Sequence, residues 1–335
     1  MRWLGLDIGG ANLKIADGEG YAASRPFALW KQPERLANEL AALLAAAPSA
    51  ERIVITMTGE LCDCFPNKAT GVRHIVEAAV AAVGSRPLCV YLTNGAFVAP
   101  SEAIEQPRLA AASNWHCLAR FAGRFATHKR ALLIDIGSTT CDIIRLKRGV
   151  PNTRGLTDSE RIRAGELVYR GVERTPCCAV AMSVPFRNRV CVVAAELFAT
   201  MRDVYVLLGD LPEAPDDCDT ADSRPATKAF AAQRIARLVA ADDTECDAAQ
   251  ALVMARYLAF RMKSRISQGI NAVLAGRKNP KSVILSGHGE FVARRALRQC
   301  GIEAEIQSLS ELLGADIARC APAHALAVLA RENLP

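Results

Sequence analysis

The sequence predicts an α/β protein of two lobes facing each other across a ligand cleft, and three observations carry that expectation. A strand–turn–strand motif occurs twice, its aspartates 128 positions apart (135 − 7). Strand-like apolar runs alternate with helix-period segments through most of the chain. The 335 residues exceed one average domain and suit two.

The motifs are Leu4-Gly-Leu-Asp-Ile-Gly-Gly-Ala-Asn-Leu-Lys-Ile-Ala16 and Leu132-Leu-Ile-Asp-Ile-Gly-Ser-Thr-Thr-Cys-Asp-Ile-Ile144. Each reads as a β-hairpin with a Gly turn after Asp-Ile. One copy is also an ordinary hairpin turn. A pair at half-chain distance points to two lobes of one design, residues 1–128 and 129–320. A solenoid would need several copies at shorter period. A closing helix in 321–335 is expected to pack back on the first lobe.

Between the hairpins, the spacing predicts a helix over 33–47, a strand over 52–57, a helix over 68–83, a strand over 88–92 and a long helix over 101–125. After the second hairpin come a polar stretch (151–164) and a substrate-facing loop and helix starting at 165–171. An apolar helix is expected over 190–208. The Pro- and Asp-rich segment 210–227 is expected to be the most mobile loop. Helices over 228–240 and 247–275, a strand over 282–285 leading into Ser286-Gly-His-Gly-Glu-Phe291, and a final helix over 322–333 complete the chain.

Hydrophobic residues make up 51% and charged residues 23%, the balance of a globular protein with ample core. A net charge of +6 with scattered Lys and Arg and only 5% aromatics argues against nucleic acid as a partner. No apolar run approaches the ~18 residues of a membrane helix. The first residues enter a strand directly, without a leader pattern, so no membrane partner and a cytoplasmic location are expected. The twelve cysteines include no C-x2-C pair, which argues against a zinc site. Cys141 and Asp142 alternate on one strand and point to opposite faces, so Cys141 is expected in the core.

The chemistry is expected at the turns. A strand that ends in Asp and runs into Gly places a carboxylate beside bare amides that can approach phosphate oxygens. Such a carboxylate can hold magnesium, and Asp7 and Asp135 could share one Mg²⁺ ion. Gly9, Gly10 and Asn12 would line one side, with Lys14 as a point charge for phosphate. Gly137, Ser138, Thr139 and Thr140 would line the other. Gly287 and Gly289 form a third Gly motif, either meeting a nucleotide or other planar group or packing a helix N-terminus against the sheet. Asp142 either supports the metal or holds the hairpin turn. His288 and His116 show no partner in the sequence.

These three elements in this order resemble the actin-like ATPase superfamily, whose ribonuclease H-like fold places a ligand cleft between two lobes. The D-I-G-S-T-T-x-D-I form of the second hairpin looks most like the hydantoinase/oxoprolinase branch. Thr56-Met-Thr-Gly-Glu-Leu61, Phe65-Pro-Asn-Lys68, Gly71-Val72, Ala112-Ser-Asn-Trp115, Gly171-Val-Glu-Arg-Thr-Pro176 and Thr220-Ala-Asp-Ser-Arg-Pro-Ala-Thr227 narrow it further. Together they resemble the tetrahydromethanopterin-linked C1-transfer pathway family, whose archaeal relatives are the methanofuran-biosynthesis synthases.

That resemblance implies a Mg²⁺-dependent transferase. It would join an aminomethyl-furan-methanol diphosphate to the phenol of a γ-glutamyl-tyramine or tyrosine-type acceptor, forming an aryl ether and releasing pyrophosphate. On this expectation Asp7 and Asp135 hold the metal, and the two turns bind the substrate diphosphate. Glu60 is a base for the phenol proton, a contact to the furan amine, or a surface helix-cap carboxylate. Lys68, Asn94, Asn114 and Arg174 are substrate candidates, though Lys68 and Arg174 equally suit solvated charges. An ATP-dependent small-molecule kinase or hydantoinase/oxoprolinase-type subunit is the first alternative, and a non-catalytic ATP-binding regulator the second. A homo-oligomer is compatible with the fold.

Overall fold

The computed structural model describes residues 2–334 and contains two mixed β-sheets flanked by helices. The first lobe opens with β1 (Trp3–Ile8), β2 (Asn12–Ala16) and β3 (Ala22–Pro26). It continues through α1 (Leu36–Ala46), β4 (Arg52–Met57), α2 (Lys68–Val83), β5 (Leu88–Tyr91) and β6 (Phe97–Val98). Short helices α3 (Pro100–Glu105), α4 (Pro107–Ala110) and α5 (Asn114–Ala122) lead across to the second lobe. There β7 (Arg130–Ile136), β8 (Cys141–Lys147) and β9 (Val150–Pro151) precede α6 (Asp158–Ala164), β10 (Leu167–Val168) and α7 (Cys177–Val180). The hairpin β11 (Ser183–Phe186) and β12 (Arg189–Val192) is followed by α8 (Met201–Leu208), α9 (Lys228–Ala236) and α10 (Ala248–Leu274). The chain closes with β13 (Ser282–Ser286), α11 (Glu290–Gln299), β14 (Glu305–Ser308), α12 (Leu309–Leu313), α13 (Ala315–Arg319) and α14 (Ala321–Asn333).

The sheets share one plan. The first has the order β3-β2-β1-β4-β5-β6, and the second β10-β8-β7-β13-β14 with β9 beside β8. In each, the Gly hairpin is antiparallel, a third antiparallel strand lies outside it, and two later strands add in parallel on the other side. Parallel strands covered on both faces need continuous apolar runs, and all six residues of β1 are buried. This is the two-lobed actin-like ATPase architecture.

Local signals set the helix ends. The Asn67 side chain accepts from the Thr70 amide at 2.9 Å and starts α2. A capping box between Thr157 and Glu160 starts α6, and left-handed Gly165 ends it. Along α10 the buried Ala251, Met254, Ala255, Leu258, Met262, Ile266 and Ile270 recur at helical spacing and face the second sheet.

Three expectations need correction. The segment 190–208 is not one helix. Arg189–Val192 is a hairpin strand with Val190 and Val192 outward, and the helix begins only at Met201, where Thr200 and Asp203 form a capping box. The segment 101–125 is broken by Pro107 and by Ala112, which takes a φ of 48°. The loop 210–227 is pinned rather than loose. Fully buried Arg234 reaches Asp203 at 2.7 Å and Asp222 at 2.9 Å, and Arg295 grips Asp210 at 2.6 Å.

The closing helix α14 lies between the lobes with α5. Leu326, Leu329 and Ala330 pack on Trp3, Val54 and Tyr91 of the first sheet. Ala325 and Val328 join a cluster that contains Leu133, Ile144 and Ile284 of the second. At Gly5 any Cβ would fall 2.2 Å from the Ala323 carbonyl oxygen, so glycine sets how closely helix and sheet approach.

Candidate active site

Both Gly turns open onto one cavity of about 570 Å³ between the lobes. Asp7, Gly9, Gly10, Asn12 and Lys14 line it from the first lobe; Asp135, Gly137, Ser138, Thr139 and Thr140 line it from the second. Gly287, Asn114 and Arg174 reach the same cavity.

Backbone contacts brace each turn. Under the first, the Leu29 amide donates to Gly10 O at 2.9 Å, and the Thr58 amide to Ile8 O at 3.0 Å. Under the second, the amides of Val172, Glu173 and Arg174 donate to Gly137 O and Ser138 O at 2.9–3.2 Å. Gly171 lies so close that a Cβ there would meet Ser138 and Thr139 backbone at 2.3 Å. The 171–176 motif is thus largely the brace of the second turn. The 220–227 motif is the ion-paired hub around Asp222 and does not contribute to the cavity lining.

The carboxylates of the floor differ in their surroundings. Asp7 faces Lys14 across the β1–β2 ladder. Burial raises its carboxyl pKa and Lys14 opposes the shift; Oδ1 is buried with no hydrogen-bond partner. Asp135 faces Asp142 across β7–β8. Burial, and then the Asp142 charge, push it up to about 6, against the pull of Lys14 and His288. Asp142 accepts from Arg161 Nη2 at 2.6 Å, so it neither holds the turn nor stands free. Arg161 is itself buried, stacked 4.0 Å from the Trp115 ring centroid, and its Nε has no partner. Cys141 is core, on the face opposite Asp142.

Several expected residues lie elsewhere. Gly289 is not on the cavity; a Cβ there would strike the Ile136 side chain at 2.4 Å, so this glycine packs the start of α11 against the sheet. Gly287, at φ 79°, does line the cavity, and a Cβ there would meet Asp135 Oδ1 at 2.8 Å. Asn94 folds over the exposed β5–β6 turn, its Oδ1 accepting from the Ala96 amide at 3.0 Å. Lys68 stands behind the wall, 3.7 Å from Asp158, which is on it. Glu60 is no surface cap: it is 1% exposed, behind Leu61, Cys62 and Ala112, with Oε2 unpartnered. Burial first, and Asp158 after it, raise its carboxyl to about 7.

Sequence reasoning missed Trp30, Asp158, Arg161, Tyr169 and Arg319 in the lining. Only contacts distant in sequence bring them there. His288 also lines the cavity, 3.3 Å from Glu173, and His116 bonds the Tyr91 hydroxyl at 2.8 Å.

No group of three or more His, Cys, Asp or Glu forms a ready-made metal cage among the described residues. Asp7 and Asp135 on one cavity are donors of the kind Mg²⁺ takes, one or two carboxylates with the rest of its shell from water and substrate phosphate. The orphaned Asp7 Oδ1 fits such an ion. Among the described residues no helix is long and apolar enough to cross a membrane.

The chain and its fold resemble known proteins. The chain is 30% identical over 334 residues to the (4-{4-[2-(gamma-L-glutamylamino)ethyl]phenoxymethyl}furan-2-yl)methanamine synthase of Methanocaldococcus jannaschii, covering 99% of this chain and 98% of that one. A synthase of the same name from Methanococcus vannielii is 28% identical over 208 residues, 62% of this chain and 93% of that one. A nucleotide-free acetone carboxylase structure superposes with a TM-score of 0.54 at 11% identity, over 98% of this chain and 70% of that one, a likeness of fold alone. The model of the family described as Hydantoinase/oxoprolinase matches residues 52–333. This chain is therefore an enzyme of the synthase type, and it belongs to the hydantoinase/oxoprolinase family.

Proposed function

We propose that the enzyme joins an aminomethyl-furan-methanol diphosphate to the phenol of a γ-glutamyl-tyramine or tyrosine-type acceptor, yielding an aryl ether and pyrophosphate. The observation that carries this reading is the pairing of two amide-rich turns with Asp7 and Asp135 around one cavity, in a chain related end to end to a synthase whose name describes such an ether.

The donor's diphosphate lies between the turns, its oxygens taking the amides around Gly9, Gly10 and Gly137 and the hydroxyls of Ser138, Thr139 and Thr140. Lys14 adds a positive charge on the first-lobe side. The bond between the furan methylene and the bridging oxygen breaks, and its electron pair leaves with pyrophosphate. The phenol oxygen forms the new bond to that methylene. The electron-rich furan spreads positive charge as the old bond weakens, while the turns favour the charge growing on the leaving group. Asp7 and Asp135 would hold Mg²⁺, which when bound supplies charge neutralisation to the departing pyrophosphate. The phenol proton is assigned to Glu60, which burial raises toward neutrality; Glu60 lies behind the wall, so the proton reaches it past Asp158, its charged neighbour in the lining.

The test is a pyrophosphate-release assay with the furan diphosphate, Mg²⁺ and either acceptor, without ATP, the product weighed by mass spectrometry. Pyrophosphate with an ether product is the expected result. No release, with ADP formed in a parallel ATP reaction, would replace this reading with the kinase-like one.

A further inference from the structure

The cavity has two chemically different ends. Its floor is the pair of phosphate turns with their carboxylates. Its mouth is formed by Trp30, Leu61, Cys62, Tyr169 and Arg174. Tyr169 is 61% exposed and Leu61 56%, so substantial apolar area stands open beside the cavity. The Arg174 guanidinium lies over the Trp30 ring, 4.9 Å from its centroid, joining the two lobes.

The backbone fixes this pair above the floor. Trp30 follows Leu29, whose amide donates to Gly10 O at 2.9 Å in the first turn. The Arg174 amide donates to Ser138 O at 2.9 Å in the second. Among the described residues no carboxylate forms an ion pair with Arg174, and its charge is left at the mouth. A diphosphate and a divalent cation have no use for aromatic surface. The mouth is therefore unexplained by the donor's leaving group.

We propose that this mouth is the acceptor subsite. Trp30 and Tyr169 hold a phenolic ring, and Arg174 pairs with a carboxylate at the far end of its para substituent. The inference rests on the synthase reading and deepens it: the enzyme selects para-substituted phenols that carry an anionic tail. A ring seated at the rim directs its oxygen toward the turns, where the methylene of the donor lies. The side chains bind by stacking and charge pairing and make no bond to the reacting atoms, so they are positioning residues.

The test uses the full chain, with the furan diphosphate and Mg²⁺, and compares γ-glutamyl-tyramine with tyramine, which lacks the carboxylate. Arg174→Gln should raise KM for γ-glutamyl-tyramine by about tenfold or more, the scale of a lost charge-assisted bond. It should leave KM for tyramine and for the donor within about twofold. Trp30→Ala should raise KM for both acceptors, and Arg174→Lys should restore part of the loss. A second readout needs no turnover. Trp3 and Trp115 are each 2% exposed; Trp115 also touches the cavity, but Trp30 is the more open tryptophan and stands at the mouth, so the two are separated by substitution. Acceptor titration should change tryptophan emission in the wild type and in Trp115→Phe, but not in Trp30→Phe. Unchanged acceptor KM, or equal shifts in acceptor and donor KM, would reduce the pair to a latch between lobes and overturn the proposal. A wild-type enzyme that makes no ether fails the synthase reading instead; the emission titration then decides the subsite, a Trp30-dependent saturable change keeping it and no change sinking it.

Discussion

Asp142 stands opposite Asp135 in the β7–β8 ladder, at the register position that Lys14 occupies opposite Asp7 in β1–β2. Directly opposed residues share a face of the sheet. The first turn therefore carries its cation on its own strand. The second carries another carboxylate there, and borrows a cation, Arg161, from α6. The lobes repeat a backbone plan but neutralise their carboxylates by different routes.

Arg161→Met should accordingly destabilise the protein by about 3–5 kcal/mol, because Asp142 is left charged and buried. Adding Asp142→Asn should recover much of that loss. Urea denaturation of the two single variants and the double variant gives the coupling. Additive effects would mean that the pair does not act as a unit.

Asp7→Asn and Asp135→Asn should each keep the far-ultraviolet circular dichroism of the wild type and lose Mg²⁺-dependent pyrophosphate binding. Turnover should fall by about 10²-fold or more, the scale on which charge-stabilising groups act. Calorimetric titration of pyrophosphate with and without Mg²⁺ measures the binding. Full activity in either variant would remove the shared-ion arrangement.

Glu60 offers a pH signature. Its carboxyl titrates near 7 in the folded protein against an ordinary value of 4.5, so the folded state holds the proton more tightly. Stability should fall as pH rises from about 4.5 to about 7 and level off above, by roughly 3 kcal/mol from this group alone. Glu60→Gln should remove that slope, which thermal melts across the range would detect. If Glu60 also takes the phenol proton, kcat should rise with pH through about 7, and the variant should lose this limb along with most turnover.

Gly171→Ala tests the brace. Its Cβ would collide with the Ser138–Thr139 backbone at 2.3 Å, which only movement of the second turn relieves. Pyrophosphate affinity should drop by about tenfold or more, with a stability loss of about 1–3 kcal/mol typical of overpacking. Unchanged affinity would separate the 171–176 motif from the turn.

Each lobe supplies half of the expected diphosphate contacts, so ligand should draw the lobes together. Small-angle scattering with Mg²⁺ and pyrophosphate should show a smaller radius of gyration than without them. An unaltered radius would point to a cleft already closed.

What was legible in the sequence was local. The strand Arg52–Met57 and the helix Lys68–Val83 have the bounds their apolar pattern predicts, because period and cap lie within each segment. Both hairpins were readable because Asp-Ile-Gly marks the strand end and its turn together. The 190–208 segment misled because Val190 and Val192 face outward on a hairpin, whereas an apolar run suggests burial. Glu60 was legible as a residue after a strand but not as a buried one, since the segment around Ala112 that covers it is some fifty positions away (112 − 60 = 52). Arg161 gave no signal at all, because its partners Asp142 and Trp115 are reached only once the lobes have formed.

The seating of α14 on β1 bears on how the chain matures. The amino-terminal lobe leaves the ribosome first, yet Trp3, Val54 and Tyr91 await Leu326, Leu329 and Ala330 for cover. Its apolar underside stays wet until residues 326–330 have been made. A product cut off before α14 would therefore expose its defect some three hundred positions earlier, around Trp3, in the lobe whose own codons were all read.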